Sequence, residues 1–416
     1  MREMRDSGVE WIGEIPKDWN CCKQKYRFTL INGRAFKDNE FEEDGTYRIL
    51  RVGNLFSNPV WYSSSLELEP DKYCEKGDLI YAWSMSYGPY IWNEEKVIYH
   101  YHIWKTKLVS DMDKMFSYYY LQALTESIKS QTHETTMGFV TMGIMNNSYI
   151  AYPRNIKEQK KISNYLDVKC SKIDVIIEKQ QAIIEKLKEY KLSIINEAVT
   201  QGINPDVNMK QSGYKWIGSI PEHWNMVYAK QLFSQRKDRA FEDDEQLTAS
   251  QKYGIISQKE FMDIEGRQVM QVLKGEEILK HVEKGDFVIS MRSFQGGLEY
   301  SEVSGKISSA YVMLIPNRDK VCDRYYKWLF KSKKYISALQ GTSNLIRDGQ
   351  ALRFSNFVQV YLPSLDLDEQ KKIADYLDDV CPKIDNEIEK REKLLEKVLE
   401  YKKSLIYEVV TGKKEV

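Results

Sequence analysis

Two segments of this chain occur twice, and they occur in the same order. The sequence SGVEWIGEIPKDWN at residues 7–20 returns as SGYKWIGSIPEHWN at 212–225, and we call both copies the opening motif. A longer segment beginning EQKKI at 158–200 returns at 369–411, with more than half of its positions identical. Because repeated segments fold into repeated structural units, we predict a tandem of two units. Each unit has an opening motif, a variable block and a long helical segment.

The variable blocks hardly match each other, and only short fragments of them align. The clearest are EKGDLIYAWS from Glu75 and EKGDFVISMR from Glu283. In both fragments a Gly-Asp pair typical of a turn precedes an apolar run that predicts a strand. We therefore expect one fold in both blocks, with different side chains on it. The tryptophans of the opening motifs are predicted to be core anchors, namely Trp11, Trp19, Trp216 and Trp224.

The helical segments have apolar residues at alternating spacings of four and three, which indicates a coiled-coil seam. Polar residues interrupt the seam at matching places, namely Gln180, Lys191, Arg391 and Lys402. We expect the two helices to pack in antiparallel order, because a whole variable block separates them in the chain. The predicted seam residues are Ile173, Ile177, Ile184, Leu187, Ile194 and Ala198 in the first copy, and Ile384, Ile388, Leu395, Val398, Leu405 and Val409 in the second.

Glycine and proline predict where the long helices begin and end. Gly202, followed by Asn204-Pro205, is expected to stop the first helix, and Gly412 the second. Pro382 stands where the first copy has Ser171. Because proline is tolerated in a first helical turn but breaks an interior, we expect the long second helix to start near Cys381, after a separate short helix at 369–377.

The composition is typical of a folded, soluble protein of more than one domain. The chain has 416 residues, of which 42% are hydrophobic and 29% charged, and this length exceeds one ordinary core. No apolar run is long enough for a membrane span, and the sequence does not begin like a secretory signal. Six cysteines without a CxxC pair fit a reducing compartment. We therefore expect a cytoplasmic protein.

The formal net charge is zero, whereas a simple nucleic-acid binder is usually basic. Positive charge is concentrated in one stretch, because residues 318–353 contain nine Lys or Arg against three Asp or Glu. This stretch is either a basic binding surface or the solvated face of a helix. Both interpretations remain open from the sequence.

Motifs of phosphate-binding and base-modifying enzymes are missing from the sequence. There is no GxxxxGK(S/T) loop, no GxGxxG turn at the start of a helix and no (N/D)PP(Y/F/W) tetrapeptide. His100 and His102 are expected on one face of a strand, but no Cys, Asp or Glu cluster near them in sequence completes a metal site. We therefore predict no catalytic site, no metal and no cofactor in this chain.

The paired opening motifs, the EQKKI sequence that closes each variable block and the two long helices of the IDxxIEK type resemble the specificity subunit of type I restriction-modification systems. The resemblance covers essentially the whole chain. It implies that each variable block is a target-recognition domain for one half of a bipartite DNA sequence, and that the helices set the gap between the half-sites. It also implies two methyltransferase subunits that use S-adenosylmethionine to methylate adenine, and motor-nuclease subunits that bring ATP and magnesium.

The resulting prediction is an α+β fold and a pseudo-twofold tandem repeat. Two mixed α/β target-recognition domains are separated by a pair of long antiparallel coiled-coil helices, whose repeated surface offers two equivalent docking sites. The predicted boundaries are 1–156 for the first recognition domain with its opening motif at 7–20, 157–201 for the first spacer helix, 202–211 for a linker, 212–366 for the second recognition domain with its opening motif at 212–225, and 367–412 for the second spacer helix.

Base recognition in the major groove needs side chains that form bidentate hydrogen bonds with base edges. Arg pairs in this way with guanine, and Asn or Gln with adenine. The first domain is poorer in arginine, so we expect it to rely more on aromatic, hydroxyl and main-chain contacts. Its predicted DNA-binding residues are Trp83, Ser84, Ser86, Tyr87, His100, His102, Thr135 and Thr136. Those of the second domain are Arg292, Ser293, Gln295, Arg347, Gln350 and Arg353.

A second interpretation stays open at this point. The neutral net charge also suits a pseudo-symmetric coiled-coil adaptor whose globular heads bind proteins and not DNA. The two hypotheses differ in salt dependence, because counterion release makes DNA affinity fall steeply as salt rises.

Overall fold

The computed structural model describes residues 2–56, 58–84, 86–131, 139–266, 278–343 and 352–416. The chain divides into two compact units, the first comprising Met1–Gln181 with Lys393–Val416 and the second Ala182–Glu392. Each unit therefore combines one variable block with parts of both long helical segments.

Two four-stranded sheets form the centre of the first unit. Its strands are β1 (Met4–Asp6), β2 (Glu14–Pro16), β3 (Trp19–Lys23), β4 (Phe28–Asn32), β5 (Tyr47–Leu50), β6 (Tyr62–Ser64), β7 (Tyr73–Cys74), β8 (Leu79–Ala82), β9 (Gly88–Ile91), β10 (Val97–Tyr99), β11 (Ile103–Leu108) and β12 (Tyr149–Pro153). One sheet has the order β6-β5-β10-β7, with β10 parallel to β5. The other has the order β4-β11-β8-β9 and is antiparallel throughout. The remaining pairs are β1-β2 and β12-β3.

The second unit repeats the antiparallel sheet. Its strands are β13 (Met209–Gln211), β14 (Ser219–Pro221), β15 (Asn225–Val227), β16 (Phe233–Arg236), β17 (Leu247–Ser250), β18 (Gly254–Ser257), β19 (Lys280–Val282), β20 (Phe287–Ile289), β21 (Glu299–Tyr300), β22 (Gly305–Ile307), β23 (Val312–Pro316) and β24 (Leu362–Ser364). The order β16-β23-β20-β21 matches β4-β11-β8-β9 strand for strand. The other strands pair as β13-β14, β15-β24, β17-β18 and β19-β22. The expectation of one fold in two variable blocks is confirmed for this sheet.

The aligned EKGD fragments form the predicted turns. Gly77 and Gly285 have φ angles of 91° and 97°, a left-handed conformation that glycine adopts without strain. The aspartate that follows closes each turn, since Asp78 Oδ2 accepts from the main-chain N–H of Glu75 at 2.7 Å, and Asp286 makes the equivalent contact at 3.0 Å. The buried strands β8 and β20 begin directly after these turns.

Two helices are far longer than the others. The helices are α1 (Lys114–Gln131), α2 (Met142–Asn147), α3 (Ile156–Gln201), α4 (Gln258–Glu265), α5 (Ser293–Gly296), α6 (Asp323–Lys331), α7 (Lys333–Gln340), α8 (Phe354–Phe357) and α9 (Leu367–Val410). Among the described residues, no helix has both the length and the apolar character needed to cross a membrane.

Helices α3 and α9 pair in antiparallel order, as predicted. In the second unit Lys188 lies 3.7 Å from Glu392, and Lys191 lies 2.6 Å from Asp385. Residues later in α3 thus contact residues earlier in α9. Every predicted seam residue on both helices is buried or half-buried.

Two polar interruptions of the seam form equivalent ion pairs. Lys191 Nζ lies 2.6 Å from Asp385 Oδ2 in the second unit, and Lys402 Nζ lies 2.5 Å from Asp174 Oδ1 in the first. Residue 191 corresponds to 402 in the repeat, and 174 corresponds to 385. The same ion pair therefore forms once in each unit, and lysine at these seam positions has a carboxylate partner on the facing helix.

A buried glutamine from the EQKKI sequence anchors the start of each long helix. Gln159 is fully buried, and its amide Nε2 donates to the carbonyls of Asp111 at 3.0 Å and Pro153 at 2.9 Å. Its Oε1 accepts from the main-chain N–H of Asp113 at 2.8 Å. Gln370 makes the equivalent contacts in the second unit, with the carbonyls of Lys320 and Leu365 at 2.9 Å each and the N–H of Cys322 at 2.8 Å.

The glutamate before each glutamine binds the opening motif. Trp19 Nε1 donates to Glu158 Oε1 at 3.2 Å, and Trp224 Nε1 donates to Glu369 Oε1 at 3.0 Å. Both indoles are buried, which confirms them as core anchors, whereas Trp11 and Trp216 are half-buried. The opening motif and the EQKKI sequence occur together because they are hydrogen-bonded to each other.

The ends of the long helices also contact the opening motifs. Gly202 and Gly412 follow the last helical turns with φ angles of 79° and 76°, so the predicted stops are confirmed. In the first unit, a Cβ added to Gly412 would lie 2.4 Å from Pro16 Cδ and 3.2 Å from Trp19 Cη2. In the second unit, a Cβ on Gly202 would lie 3.5 Å from Trp224 Cζ2. Glycine at 412 is required both by its conformation and by this close approach.

The prediction that Pro382 separates a short helix from the long one is wrong. Helix α9 runs without interruption from Leu367 to Val410, with Pro382 inside it. Buried residues hold the helix on both sides of the proline, including Leu377, Cys381 and Ile384. Packing on both flanks therefore outweighs the missing main-chain N–H and the clash of the proline ring with the preceding turn.

We expect the substitution Pro382→Ser, which copies Ser171 of the first repeat, to stabilise the protein. The proline ring is exposed, so little packing is lost. The restored helical hydrogen bond outweighs the greater freedom of the unfolded chain, and the free energy of unfolding should rise by about 2 kcal/mol. Urea denaturation measures this change. The mirror variant Ser171→Pro serves as the control and should lower the stability, and a stability loss in Pro382→Ser would contradict the prediction.

Candidate nucleic-acid interface

The candidate site of the first recognition domain lies at one edge of the antiparallel sheet. Strand β8 ends at Ala82 and β11 begins at Ile103, and these two residues are register partners. The residues just beyond them meet, since the N–H of Trp83 donates to the carbonyl of His102 at 3.1 Å. The indole Nε1 of Trp83 also donates to the carbonyl of Tyr101 at 2.6 Å. Trp83 is thereby fixed at the edge.

His100 and His102 lie in a turn, and the prediction that they share one face of a strand is wrong. Strand β10 ends at Tyr99, and the N–H of Ile103 donates to the carbonyl of His100 at 2.9 Å, which closes the turn. The main chain of Arg34 occupies the adjacent edge, accepting from the N–H of Tyr101 at 3.1 Å and donating to Tyr99. The turn is formed by this pairing between residues far apart in sequence. The local alternation of residues, which predicts a strand, does not indicate it.

Close packing of the main chain also restrains this turn. A Cβ added to Gly33 would lie 2.3 Å from the carbonyl oxygen of Tyr99 and 2.4 Å from that of His100. Only glycine permits this approach. The rings of His100 and His102 are 4.8 Å apart, and that of Trp83 is 4.9 Å from His102. The edge therefore presents a fixed cluster of aromatic and imidazole rings.

Both histidines of the cluster are uncharged at neutral pH. Burial lowers the pKa of His100 to about 4, and the neighbouring His102 and Arg51 act in the same direction. Burial also lowers the pKa of His102. A neutral imidazole has one N–H donor and one nitrogen acceptor, and both can pair with base edges. In the described part of the chain, no three His, Cys, Asp or Glu side chains are grouped so as to hold a metal ion.

The other predicted residues of the first domain have different surroundings. Ser84 is half-buried and forms a bridge to Phe139, and Ser86 is exposed. Tyr87 is buried in the main core cluster, with Lys129 Nζ 5.4 Å from its ring centroid. Thr135 and Thr136 lie outside the described residues.

The second domain places different side chains at the equivalent edge. Ile289 of β20 is the register partner of Val312 of β23. The turn before β23 is closed by the N–H of Tyr311 donating to the carbonyl of Ser308 at 3.0 Å, as Ile103 and His100 do in the first domain. Serine, serine and alanine at 308–310 stand where the first domain has His100, Tyr101 and His102.

The predicted residues of the second domain divide into exposed and buried ones. Arg292 and Gln295 are exposed just after β20, whereas Ser293 is buried and its Oγ accepts from the N–H of Ser290 at 2.8 Å. Arg353 is exposed directly before α8, and its N–H donates to Asn356 Oδ1 at 2.9 Å. Arg347 and Gln350 lie outside the described residues.

The basic stretch at 318–353 is not a free positive surface. Four of its cations form ion pairs: Arg318 with Asp323, Arg324 with Asp375 and Asp378, Lys327 with Glu302, and Lys331 with Glu299. Much of the excess charge counted in sequence is therefore neutralised in the fold. The acidic partners come from inside and outside the stretch.

Arg51 lies next to the ring cluster and is not among the DNA-binding residues predicted from the sequence. Arg51 follows β5 directly and is exposed, and its guanidinium carbon lies 5.0 Å from the ring centroid of Tyr62. Its position depends on the parallel pairing of β5 with β10, which joins residues about 50 apart in sequence. No local pattern in the sequence indicates that pairing.

Comparisons with known proteins agree with this architecture. The family model for the "Type I restriction modification DNA specificity domain" matches residues 16–189 and 221–397. The type I restriction enzyme MjaVIII specificity subunit of Methanocaldococcus jannaschii is 26% identical over 319 residues, covering 73% of this chain and 70% of that protein. The EcoBI specificity subunit of Escherichia coli is 19% identical over 438 residues, covering 96% and 88%.

A solved chain shares the fold. It comes from a structural study of the complex assembly and conformational transition of the type I R-M system. The TM-score is 0.66 at 12% sequence identity, and the match covers 96% of this chain and 99% of that chain.

These matches define a protein built from two DNA specificity domains in tandem. The chain belongs to the type I restriction-modification DNA specificity family, and it is a specificity subunit with a role in DNA recognition. The alternative of a protein-binding adaptor is not favoured.

A buried histidine stabilises the second recognition domain. His281 Nδ1 lies 2.8 Å from Asp244 Oδ2, and its Nε2 lies 3.1 Å from Glu283 Oε2. Burial alone would lower the pKa of His281, but the hydrogen bonds to the two carboxylates outweigh it and the pKa is raised. Phe241 packs on the imidazole, with ring centroids 4.5 Å apart. The protonated ring therefore ties the loop at 241–244 to strand β19.

We expect this domain to lose stability as the pH rises. A raised folded-state pKa gives a stabilisation that is complete below about pH 6.5, the ordinary histidine value, and that disappears as the pH passes the folded value. The substitution His281→Gln should therefore cost about 1–2 kcal/mol at pH 6 and much less at pH 9. Urea denaturation at both values tests this. The exposed His223, paired with Glu369, provides the control variant His223→Gln, and an equal cost of His281→Gln at both pH values would refute the mechanism.

Proposed function

We propose that each recognition domain binds one half of a bipartite DNA target at the sheet edge described above. The observation that supports this most directly is that one strand frame presents different side chains in the two domains. Trp83, His100 and His102 occupy the edge of the first domain, and Arg292 and Gln295 that of the second. Main-chain pairing holds both edges, so side-chain identity sets which bases are bound.

The chain itself catalyses no reaction in this proposal. Methyltransferase subunits bind S-adenosylmethionine and methylate adenine, and motor-nuclease subunits bind ATP and magnesium. The specificity subunit brings these partners to double-stranded DNA in the cytoplasm. The sequence has no phosphate-binding loop and no (N/D)PP(Y/F/W) tetrapeptide for holding a flipped base, which supports assigning the catalytic steps to the partner subunits.

Two methyltransferase subunits are proposed to dock on the repeated surface of the long helices. Tyr190 on α3 and Tyr401 on α9 are equivalent in the repeat, and their side chains are 58% and 57% exposed. Large exposed aromatic residues are enriched at the centres of protein interfaces. Equivalent tyrosines on equivalent helices favour two copies of one partner.

The helices are also proposed to set the length of the DNA spacer between the two half-sites, whose bases are not recognised. Helix α3 has 46 residues, and a helix of this length extends about 69 Å at 1.5 Å per residue. This length exceeds the roughly 34 Å of one DNA turn. The gap is then a property of helix length and not of base contacts.

We expect the half-sites to be exchangeable one at a time. Replacing residues 226–366 with the block of a relative should change one half of the methylated sequence and leave the other half and the adenine chemistry unchanged. Methylome sequencing of host cells measures both halves together. The matched exchange of residues 21–156 should change the opposite half. A chimera that alters both halves, or neither, would sink the modular mechanism.

We expect Tyr190→Ala and Tyr401→Ala each to weaken one methyltransferase site. Loss of a central aromatic contact costs about 2 kcal/mol or more, which corresponds to a loss of affinity of roughly 30-fold or more. Native mass spectrometry should show two methyltransferase subunits on the unmodified chain, one on each single variant and none on the double variant at limiting concentration. Tyr26→Ala, which changes an exposed tyrosine that is not part of either long helix, is the control. Full occupancy of the double variant would exclude this docking surface.

A further inference from the structure

Arg51 and the ring cluster of the first domain emerge at the same sheet edge. Strands β5 and β10 are parallel, and Leu50 is the register partner of Tyr99. Arg51 and His100 directly follow these two partners. Because the strands are parallel, both residues lie at the same end of the strand pair. The N–H of His100 donates to the carbonyl of Leu50 at 2.9 Å, which fixes the two chain ends together.

The main chain and an aromatic ring both restrain Arg51. Its N–H donates to Asn54 Oδ1 at 3.1 Å, and its carbonyl accepts from the N–H of Asn54 at 2.9 Å. Its guanidinium lies over the ring of Tyr62 at 5.0 Å. A guanidinium supported on a ring face loses little conformational entropy when it binds, because its orientation is already limited.

The charge of Arg51 is not neutralised by a carboxylate within the residues that the structure describes. Three other arginines of the same variable block form ion pairs: Arg27 with Asp111, Arg34 with Glu40, and Arg48 with Glu94 and Glu95. A fourth, Arg154, donates from Nε to Asn20 Oδ1 at 2.9 Å. The other four arginines of the block therefore have polar partners within the fold. Arg51 is left for a ligand.

The surroundings of Arg51 suit a base edge better than a phosphate. The neighbouring His100 and His102 are uncharged, because burial and the positive charge of Arg51 lower their pKa values. A phosphate-binding surface collects several cations, whereas recognition of guanine needs one guanidinium in a fixed orientation. Within the described residues, a guanidinium that has no carboxylate partner and lies beside neutral rings matches the second requirement.

The second domain has no arginine at the equivalent position. Lys306 corresponds to Ile98 through the aligned EKGD fragments, and its parallel neighbour is Gln246, as Ile49 is for Ile98. Counting two residues on from each neighbour places Thr248 where the first domain has Arg51. The arginine therefore differs between the domains, as a specificity residue should.

We propose that Arg51 reads a guanine in the first half-site, with its two terminal nitrogens donating to N7 and O6 in the major groove. The neutral imidazoles of His100 and His102 contact the adjoining base pair. This inference rests on the proposed function, because it names one base contact of the first recognition domain.

The test uses the complete complex with its methyltransferase subunits. Arg51→Ala should make one guanine position of the first half-site degenerate in the methylome and leave the second half-site unchanged. Affinity for the native target should fall about 10- to 100-fold. Arg51→Lys should not restore the preference, because lysine keeps the charge but loses the fork. Arg48→Lys, whose arginine is already paired, is the matched control and should keep the motif.

Modified DNA identifies the contact atom. Replacing that guanine with 7-deazaguanine removes N7 and should weaken binding of the unmodified complex but not of the Arg51→Ala complex. Arg51→Ala could instead lower the affinity for all DNA sequences equally and reduce the slope of log affinity against log salt concentration by about one. The arginine then binds the phosphate backbone, and the inference is overturned. An unchanged motif and affinity in Arg51→Ala also overturns it. Failure of the unmodified complex to methylate any bipartite sequence would refute the proposed function itself.

Discussion

A fully buried glutamine amide joins each long helix to its recognition domain. Gln159 and Gln370 each bind two carbonyls and one main-chain N–H, using groups from loops and from the end of strand β12. Removing such an amide would leave buried main-chain groups unpaired, at about 1–3 kcal/mol each. The direction in which a helix leaves its domain therefore depends on this contact, and the adjacent glutamate adds the opening motif through its tryptophan.

The proposed binding at two fixed sheet edges also explains how a neutral chain can belong to a DNA-recognition family. Most arginines of the first variable block, and several cations of the 318–353 stretch, form ion pairs within the fold. Most of these charged side chains thus form contacts within the fold. In the proposed mechanism, specific recognition depends on a few side chains such as Arg51 and Arg292, which have no carboxylate partner among the described residues, and not on a broad positive field.

The sequence predicts the features that repeat or have a regular period. The two long helices, their seams, their glycine stops and the EKGD turns follow from local patterns, and all are found. The turn at His100–His102 could not be predicted, because it depends on pairing with Gly33 and Arg34 far away in the chain. Pro382 misled the prediction, since tertiary packing on both flanks overrides a local helix breaker. The base-contact residues remain predictions.

The composition of the first unit has a consequence for biosynthesis. Its main core cluster joins Ile12 and Trp19 near the start of the chain with Leu405 and Val409 near the end. At about 5–20 residues per second, a ribosome needs roughly 10–40 s to make the intervening second unit. That unit is continuous in sequence and can form its core while translation proceeds. The nascent first unit must wait with part of its apolar surface uncovered, so the domain that is synthesised first is completed last.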